Sequence, residues 1–258
     1  MSVVQPRDAA TVLLIRDAPE LQVFMLRRNL QSVFAAGAYV FPGGAVDPDD
    51  DDPALLGASE TVGAAAAVVP ARFRVAAIRE AFEEAGVLLA RDAATGQPVD
   101  VASLSPAREA LERGDRTFTE VVADLGVVLD TGSLWPIGRF ITPRGAPRRF
   151  DTWFFVAPAP DGHAYRHDAG ETVASLWIRP EDALERGRGG EFELIEPTWC
   201  TLGLAAQYPR AAPFFDAVRA GWDAASPLEE RYRDRGWLLR VGDTPDLDER
   251  PQPRKTTA

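Results

Sequence analysis

Apolar and polar positions along this chain predict a series of strands with a few helices among them. Residues 9–16, containing Thr-Val-Leu-Leu-Ile-Arg, read as a strand, and the turn-forming Asp17-Ala18-Pro19-Glu20 leads into a second over 21–28, giving a hairpin. Residues 39–41 read as a short strand stopped by Pro42-Gly43-Gly44. Residues 47–53, almost all Asp and Pro, read as a solvated loop, and 54–70 carry only a weak pattern rich in Ala, Gly and Val. Residues 71–90 give the clearest helix: Val75, Ile78, Phe82, Ala85 and Leu89 follow spacings of three, four, three and four and form one apolar stripe. After a loop over 91–100, one short helix is expected from Ser105-Pro106 and another from Thr117, where Glu120 completes a capping box. Strands return over 137–142, 151–156 and 172–178; a helix starts at Pro180, two helical pieces fill 197–222, and a polar tail runs from Gly242. The pattern predicts an α+β chain with a mixed sheet and flanking helices.

Bulk properties narrow the function. Of 258 residues, 46% are hydrophobic, enough for a substantial core. The longest apolar stretch, 62–70, is mostly Ala and Gly and far short of a bilayer span. The first seven residues lack the layout of a signal peptide, and Cys200 is the single cysteine, so a cytoplasmic protein without membrane contact is expected. A net charge of −11 argues against nucleic-acid binding; an acidic protein still suits a phosphorylated substrate if divalent cations sit between carboxylate and phosphate.

The candidate chemistry lies on the strongest helix. Glu80, Glu83 and Glu84 fall within roughly 100° of one another, nearly opposite the apolar stripe. By themselves they read first as the outer face of an ordinary amphipathic helix, with Arg79 pairing to Glu83 one turn on. As a site, three such carboxylates repel unless a cation lies between them, and hard oxygen ligands suit Mg²⁺, with Mn²⁺ as the alternative. Two flanking features favour the site: Gly43-Gly44, which permits close backbone approach, and Gly86, a costly residue inside a helix that suggests a close contact or a bend.

Arg79-Glu80-Ala81-Phe82-Glu83-Glu84-Ala85-Gly86-Val87, with the upstream glycine pair, resembles the signature of the Nudix hydrolase family. Asp50 stands where the family's first glutamate falls, six residues after Gly44, and 28 residues separate Asp50 from Arg79 where the pattern has seven, an interruption over about 51–71. This interruption, the run 37–44 and the run Arg149-Phe150-Asp151-Thr152-Trp153-Phe154-Phe155 resemble the coenzyme A diphosphatase branch. The resemblance implies a Nudix fold, a mixed sheet sandwiched between helices. The expected layout is a single domain over 1–241 with insertions near 51–71 and 91–126, a C-terminal helical extension from about 190, and a flexible tail over 242–258. It implies metal bound by Glu80, Glu83 and Glu84, with the Gly44 carbonyl as a further ligand and Arg79 as an orienting partner. The expected reaction is hydrolysis of a small-molecule diphosphate, with coenzyme A or an acyl-coenzyme A as first choice. ADP-ribose, NADH, nucleoside triphosphates and a non-catalytic ligand sensor are the alternatives, and a homodimer is left open.

Other residues remain two-sided. Glu171 reads as a further ligand or base, or as a solvated loop acid. Arg28, Arg148 and Arg149 read as phosphate grips or strand-edge cations, with Arg27 sharing the ambiguity of Arg28. Phe41, like Tyr39, reads as a stacking platform for a base or as core. His163 and His167 read as surface residues, and Cys200 as a small core residue.

Overall fold

A computed structural model describes residues 4–31, 35–59, 69–142, 145–163, 165–167 and 172–223. The strands are β1 (Arg7–Asp17), β2 (Leu21–Arg28), β3 (Tyr39–Val40), β4 (Gly43–Ala45), β5 (Ala90–Asp92), β6 (Val127–Leu129), β7 (Trp135–Ile141), β8 (Phe150–Pro158) and β9 (Thr172–Ile178). The helices are α1 (Pro53–Gly57), α2 (Ala71–Ala85), α3 (Val101–Glu112), α4 (Phe118–Leu125), α5 (Pro180–Arg188), α6 (Glu196–Ala205) and α7 (Ala211–Asp223).

The central strands are apolar on both faces, so both faces of the sheet must be covered. Ala10, Val12 and Leu14 of β1, Phe24 and Leu26 of β2 and Trp153 and Phe155 of β8 join the core that holds the buried stripe of α2 and residues of α3 and α4. The alternate positions, Leu13, Ile15, Val23, Met25, Phe154 and Val156, join a second core with residues of α5, α6 and α7. The sheet is therefore sandwiched between two helical layers, as the resemblance implies.

The pairing places the glycine loop. β1 runs parallel to β8 along its length, while on its other edge Ile15–Asp17 pair antiparallel with Leu21–Val23 of β2. Beyond that hairpin β1 and β2 diverge, and residues 39–45 fill the gap. β3 pairs with β2 at Leu26 and Arg27, and β4 pairs with β1 at Ala9, Ala10 and Thr11. Gly43 belongs there because a Cβ on it would lie 2.4 Å from the Ala10 carbonyl oxygen.

Three expectations are corrected. The 47–53 segment is not all solvated loop: Pro48–Asp51 forms a 3₁₀ turn with Asp50 fully buried, while Asp47 and Asp49 face solvent. The box helix stops at Ala85; Gly86 adopts φ 67° as its left-handed cap, so its glycine is required by chain reversal and not by a bend within a helix. α3 begins at Val101, not at Ser105, because the Asp100 carboxylate accepts from the Ala102 amide at 3.0 Å, and Pro106 lies inside the helix. The capping box at Thr117 and Glu120 starts α4 as expected. Within the 51–71 insertion, Leu55 is buried and the Ala58 carbonyl accepts from the Leu129 amide, whereas residues 60–68 and the tail from Gly242 lie outside the described residues.

Candidate active site

Arg79 organises the face of α2 that carries the glutamates. Its Nε and Nη2 donate to the two carboxylate oxygens of Asp50 at 2.9 and 3.1 Å, a bidentate pair closed inside the protein. Nη2 also donates to the Ala45 carbonyl at 2.9 Å, and Nη1 to Glu80 at 3.0 Å and Glu83 at 2.9 Å. Burial works against this guanidinium's charge, but the bond to Asp50 and the charges of Glu80, Glu83 and Asp50 outweigh it and hold the arginine protonated. Asp50 is in turn fixed by the Asp47 amide at 2.8 Å. One arginine thus ties the glycine strand, the 3₁₀ turn and the helix together.

Glu84 accepts from the Gly43 amide at 2.9 Å, across 41 positions of sequence, so the interruption leaves the two halves of the motif in contact. Glu80 lies against Gly44, where a Cβ would stand 2.5 Å from its Oε1. Burial raises the Glu80 carboxyl to about 7; Arg79 opposes the shift, and Glu83 and Asp50 add to it. Glu83 is also raised, again chiefly by burial and against the pull of Arg79. Crowded, half-desolvated carboxylates beside a backbone carbonyl are a donor set that a hard divalent cation stabilises, so Glu80, Glu83, Glu84 and the Gly44 carbonyl fit such an ion chemically. Among the described residues no three His, Cys, Asp or Glu side chains are gathered about one point; Glu80 and Glu83 turn to Arg79, and Glu84 to Gly43.

These side chains line one end of a cavity of about 1220 Å³. Its floor is the stretch of sheet that the α5–α7 layer leaves uncovered: Arg7 and Thr11 of β1, Phe140 of β7, and Phe150, Thr152 and Phe154 of β8. Leu111 and Glu112 of α3 and the first turn of α6 provide walls, and Arg28, Phe41 and Arg148 also line it.

Arg149 is a correction. It is 5% exposed and donates to the Thr142 carbonyl at 2.9 Å and the Val4 carbonyl at 2.7 Å, so it splices the sheet edge instead of facing the cavity. Arg27 lies over the Tyr39 ring, which stacks on Phe192 with centroids 3.7 Å apart, so Tyr39 serves packing. His163 is half-buried beside Tyr165, not a surface residue, and Cys200 is buried. Glu171 lies outside the described residues.

Two positioning residues stand outside the metal ligands expected from the sequence. Asp50 is marked there only by its place in the motif, within an acidic run. Arg108 of α3 gives no local signal, yet its Nε and Nη2 donate to the Glu83 carbonyl at 3.0 and 2.7 Å and its Nη1 to the Arg166 carbonyl at 2.9 Å. The Arg166 amide donates to the Ala85 carbonyl at 3.1 Å, so the last turn of α2, whose carbonyls lack intrahelical partners, is satisfied from outside.

Comparison with known proteins agrees with this geometry. The family profile of the NUDT19 Nudix domain matches residues 59–202, more than half of the chain. The chain belongs to the Nudix hydrolase family. A Nudix hydrolase of Alicyclobacillus acidocaldarius has a similar structure, with a TM-score of 0.66 and 30% identity, over 81% of this chain and 95% of that one. Among curated relatives, the acyl-coenzyme A diphosphatases NUDT19 of Gallus gallus and Homo sapiens are each 28% identical, over 76% and 74% of this chain. The chain spans 67% and 62% of the length of those two relatives. Their names agree with the coenzyme A diphosphatase branch that the interrupted motif suggests. No helix among the described residues is long and apolar enough to cross a membrane.

Proposed function

We propose that this protein hydrolyses the diphosphate linkage of coenzyme A or an acyl-coenzyme A, giving 3′,5′-ADP and the (acyl-)4′-phosphopantetheine, with a divalent cation, Mg²⁺ or Mn²⁺, held by Glu80, Glu83, Glu84 and the Gly44 carbonyl. The observation that carries the reading is the meeting of Gly43-Gly44 with these glutamates at the wall of a large cavity, in a chain whose relatives are named acyl-coenzyme A diphosphatases. A bound cation supplies charge neutralisation for the diphosphate and acidity for a coordinated water. The chain's own part is positional. Arg79 spreads its donors over Asp50, Glu80 and Glu83 and so holds the carboxylates at the cavity wall. Arg28 and Arg148 line the same cavity and suit phosphate oxygens at the outer end of the nucleotide.

The test is a comparison of kcat/KM for coenzyme A, dephospho-coenzyme A, ADP-ribose and NADH at fixed Mg²⁺, with products identified by mass. Coenzyme A or its acyl derivative is expected to lead. A tenfold advantage for ADP-ribose or NADH, about 1.4 kcal/mol of transition-state preference, overturns the substrate. Turnover unaffected by chelation overturns the metal.

A further inference from the structure

We infer that Arg7 and Arg148 form a grip for a second phosphate on the substrate, a phosphate monoester carried one sugar away from the diphosphate, and so select 3′-phosphorylated nucleotides. This deepens the diphosphatase reading and rests on it. Arg7 opens β1 and, with Ala9 and Thr11 at a period of two, lines the cavity. Arg148 lines the same cavity two residues before Phe150, the β8 partner of Arg7, and the Arg7 amide donates to the Arg149 carbonyl at 2.9 Å. The buried Arg149 braces this corner. Its guanidinium donates to the Val4 carbonyl, three residues before Arg7, at 2.7 Å and to the Thr142 carbonyl at 2.9 Å. The two exposed arginines thus stand on neighbouring stretches of backbone that one buried residue holds together.

Charge singles the pair out. Acidic residues outnumber basic ones by 39 to 28 in this chain, yet neither Arg7 nor Arg148 is ion-paired with a carboxylate among the described residues. The nearest acids in the strands, Asp8 and Asp151, alternate to the other face of the sheet, where Arg72 holds Asp8 at 3.0 Å and Arg139 holds Asp151 at 2.6 Å. Asp47, which lines the cavity, lies 3.7 Å from Arg79 instead. Two guanidinium groups open to a cavity suit a phosphate monoester, which brings a charge of about −2 and three acceptor oxygens. Register sets where it sits. Ala10 pairs with Gly44, beside the glutamates, and Arg7 is three residues back along β1, roughly 10 Å at the rise of a strand. The grip therefore stands apart from the diphosphate, at a distance that one ribose and an arginine side chain bridge.

The test is calorimetry on the intact protein at fixed Mg²⁺, comparing 3′,5′-ADP with 5′-AMP, which differ by that phosphate alone. The wild type is expected to bind 3′,5′-ADP about tenfold tighter or more, the worth of a hydrogen bond between charged groups. Both side chains are exposed, so glutamine in their place leaves the fold intact. Arg7→Gln and Arg148→Gln should each weaken 3′,5′-ADP about five- to tenfold, with 5′-AMP changed less than about twofold. In turnover, the kcat/KM preference for coenzyme A over dephospho-coenzyme A should fall by the same factor. Equal weakening of both nucleotides, which places the arginines on the shared 5′-phosphate, an unchanged 3′,5′-ADP affinity, or a wild type without preference between the two overturns the assignment. If the wild type cleaves no diphosphate, the diphosphatase reading fails, an outcome that the calorimetry reads separately.

Discussion

Replacing Asp50 with Asn tests whether one carboxylate in an acidic run holds the motif together. Asp50 is fully buried, takes two bonds from Arg79 at 2.9 and 3.1 Å, and accepts from the Asp47 amide at 2.8 Å. The amide keeps the shape but cannot accept at both positions, and it removes the charge that offsets a buried guanidinium. Breaking one partner of a buried pair costs about 3–5 kcal/mol. Arg79 retains Ala45, Glu80 and Glu83, which places the loss near the lower bound, about 3 kcal/mol. For a domain of this size that is roughly 6–12 °C in melting temperature. Asp49→Asn, one residue away and exposed, should stay within about 0.5 kcal/mol. Urea unfolding and thermal melts followed by circular dichroism give both numbers. A loss under about 1 kcal/mol for Asp50→Asn, or an equal loss for Asp49→Asn, refutes the reasoning, because the two differ in burial and in the bonds that Asp50 accepts from Arg79 and the Asp47 amide.

Glu84→Gln keeps the size of the residue bonded to Gly43 and removes its charge; kcat should fall about a hundredfold with the fold intact, and activity within about threefold of wild type rejects Glu84 as a ligand. Glu80 has a folded-state value near 7 against an ordinary 4.5, so its contribution to stability is present below about 4.5 and is lost as pH rises through 7. In metal-free protein, Glu80→Gln should therefore gain on wild type between pH 5 and pH 8 in urea unfolding, and a difference that does not vary with pH contradicts the burial argument. Arg108→Met strips the two donors from the Glu83 carbonyl and should cost about 1.5–3 kcal/mol in unfolding, with a drop in kcat larger than any rise in KM; unchanged kcat shows that the clamp does not reach the glutamates.

Much of this molecule is written in local pattern. The apolar runs of β1, β2 and β8, the stripe at Val75, Ile78 and Phe82, and the capping box of Thr117 with Glu120 each follow from chemistry within a few residues, and so they were legible. So was the acidic face of α2, because three glutamates on one side of a helix can be counted without knowing what surrounds them. Tertiary structure decided the rest, for a physical reason: burial and partner choice depend on groups distant in sequence. Motif spacing marked Asp50, but only the folded chain buried it against Arg79, 29 residues on, and so set it apart from Asp49 and Asp51. Arg149 shared its side chain with every other candidate phosphate grip, and only the carbonyls of Val4 and Thr142 made it structural. Gly86 was costly in a helix until the helix ended there. Only the gap left by the α5–α7 layer turned Phe154, read in the sequence as part of a family run, toward a cavity.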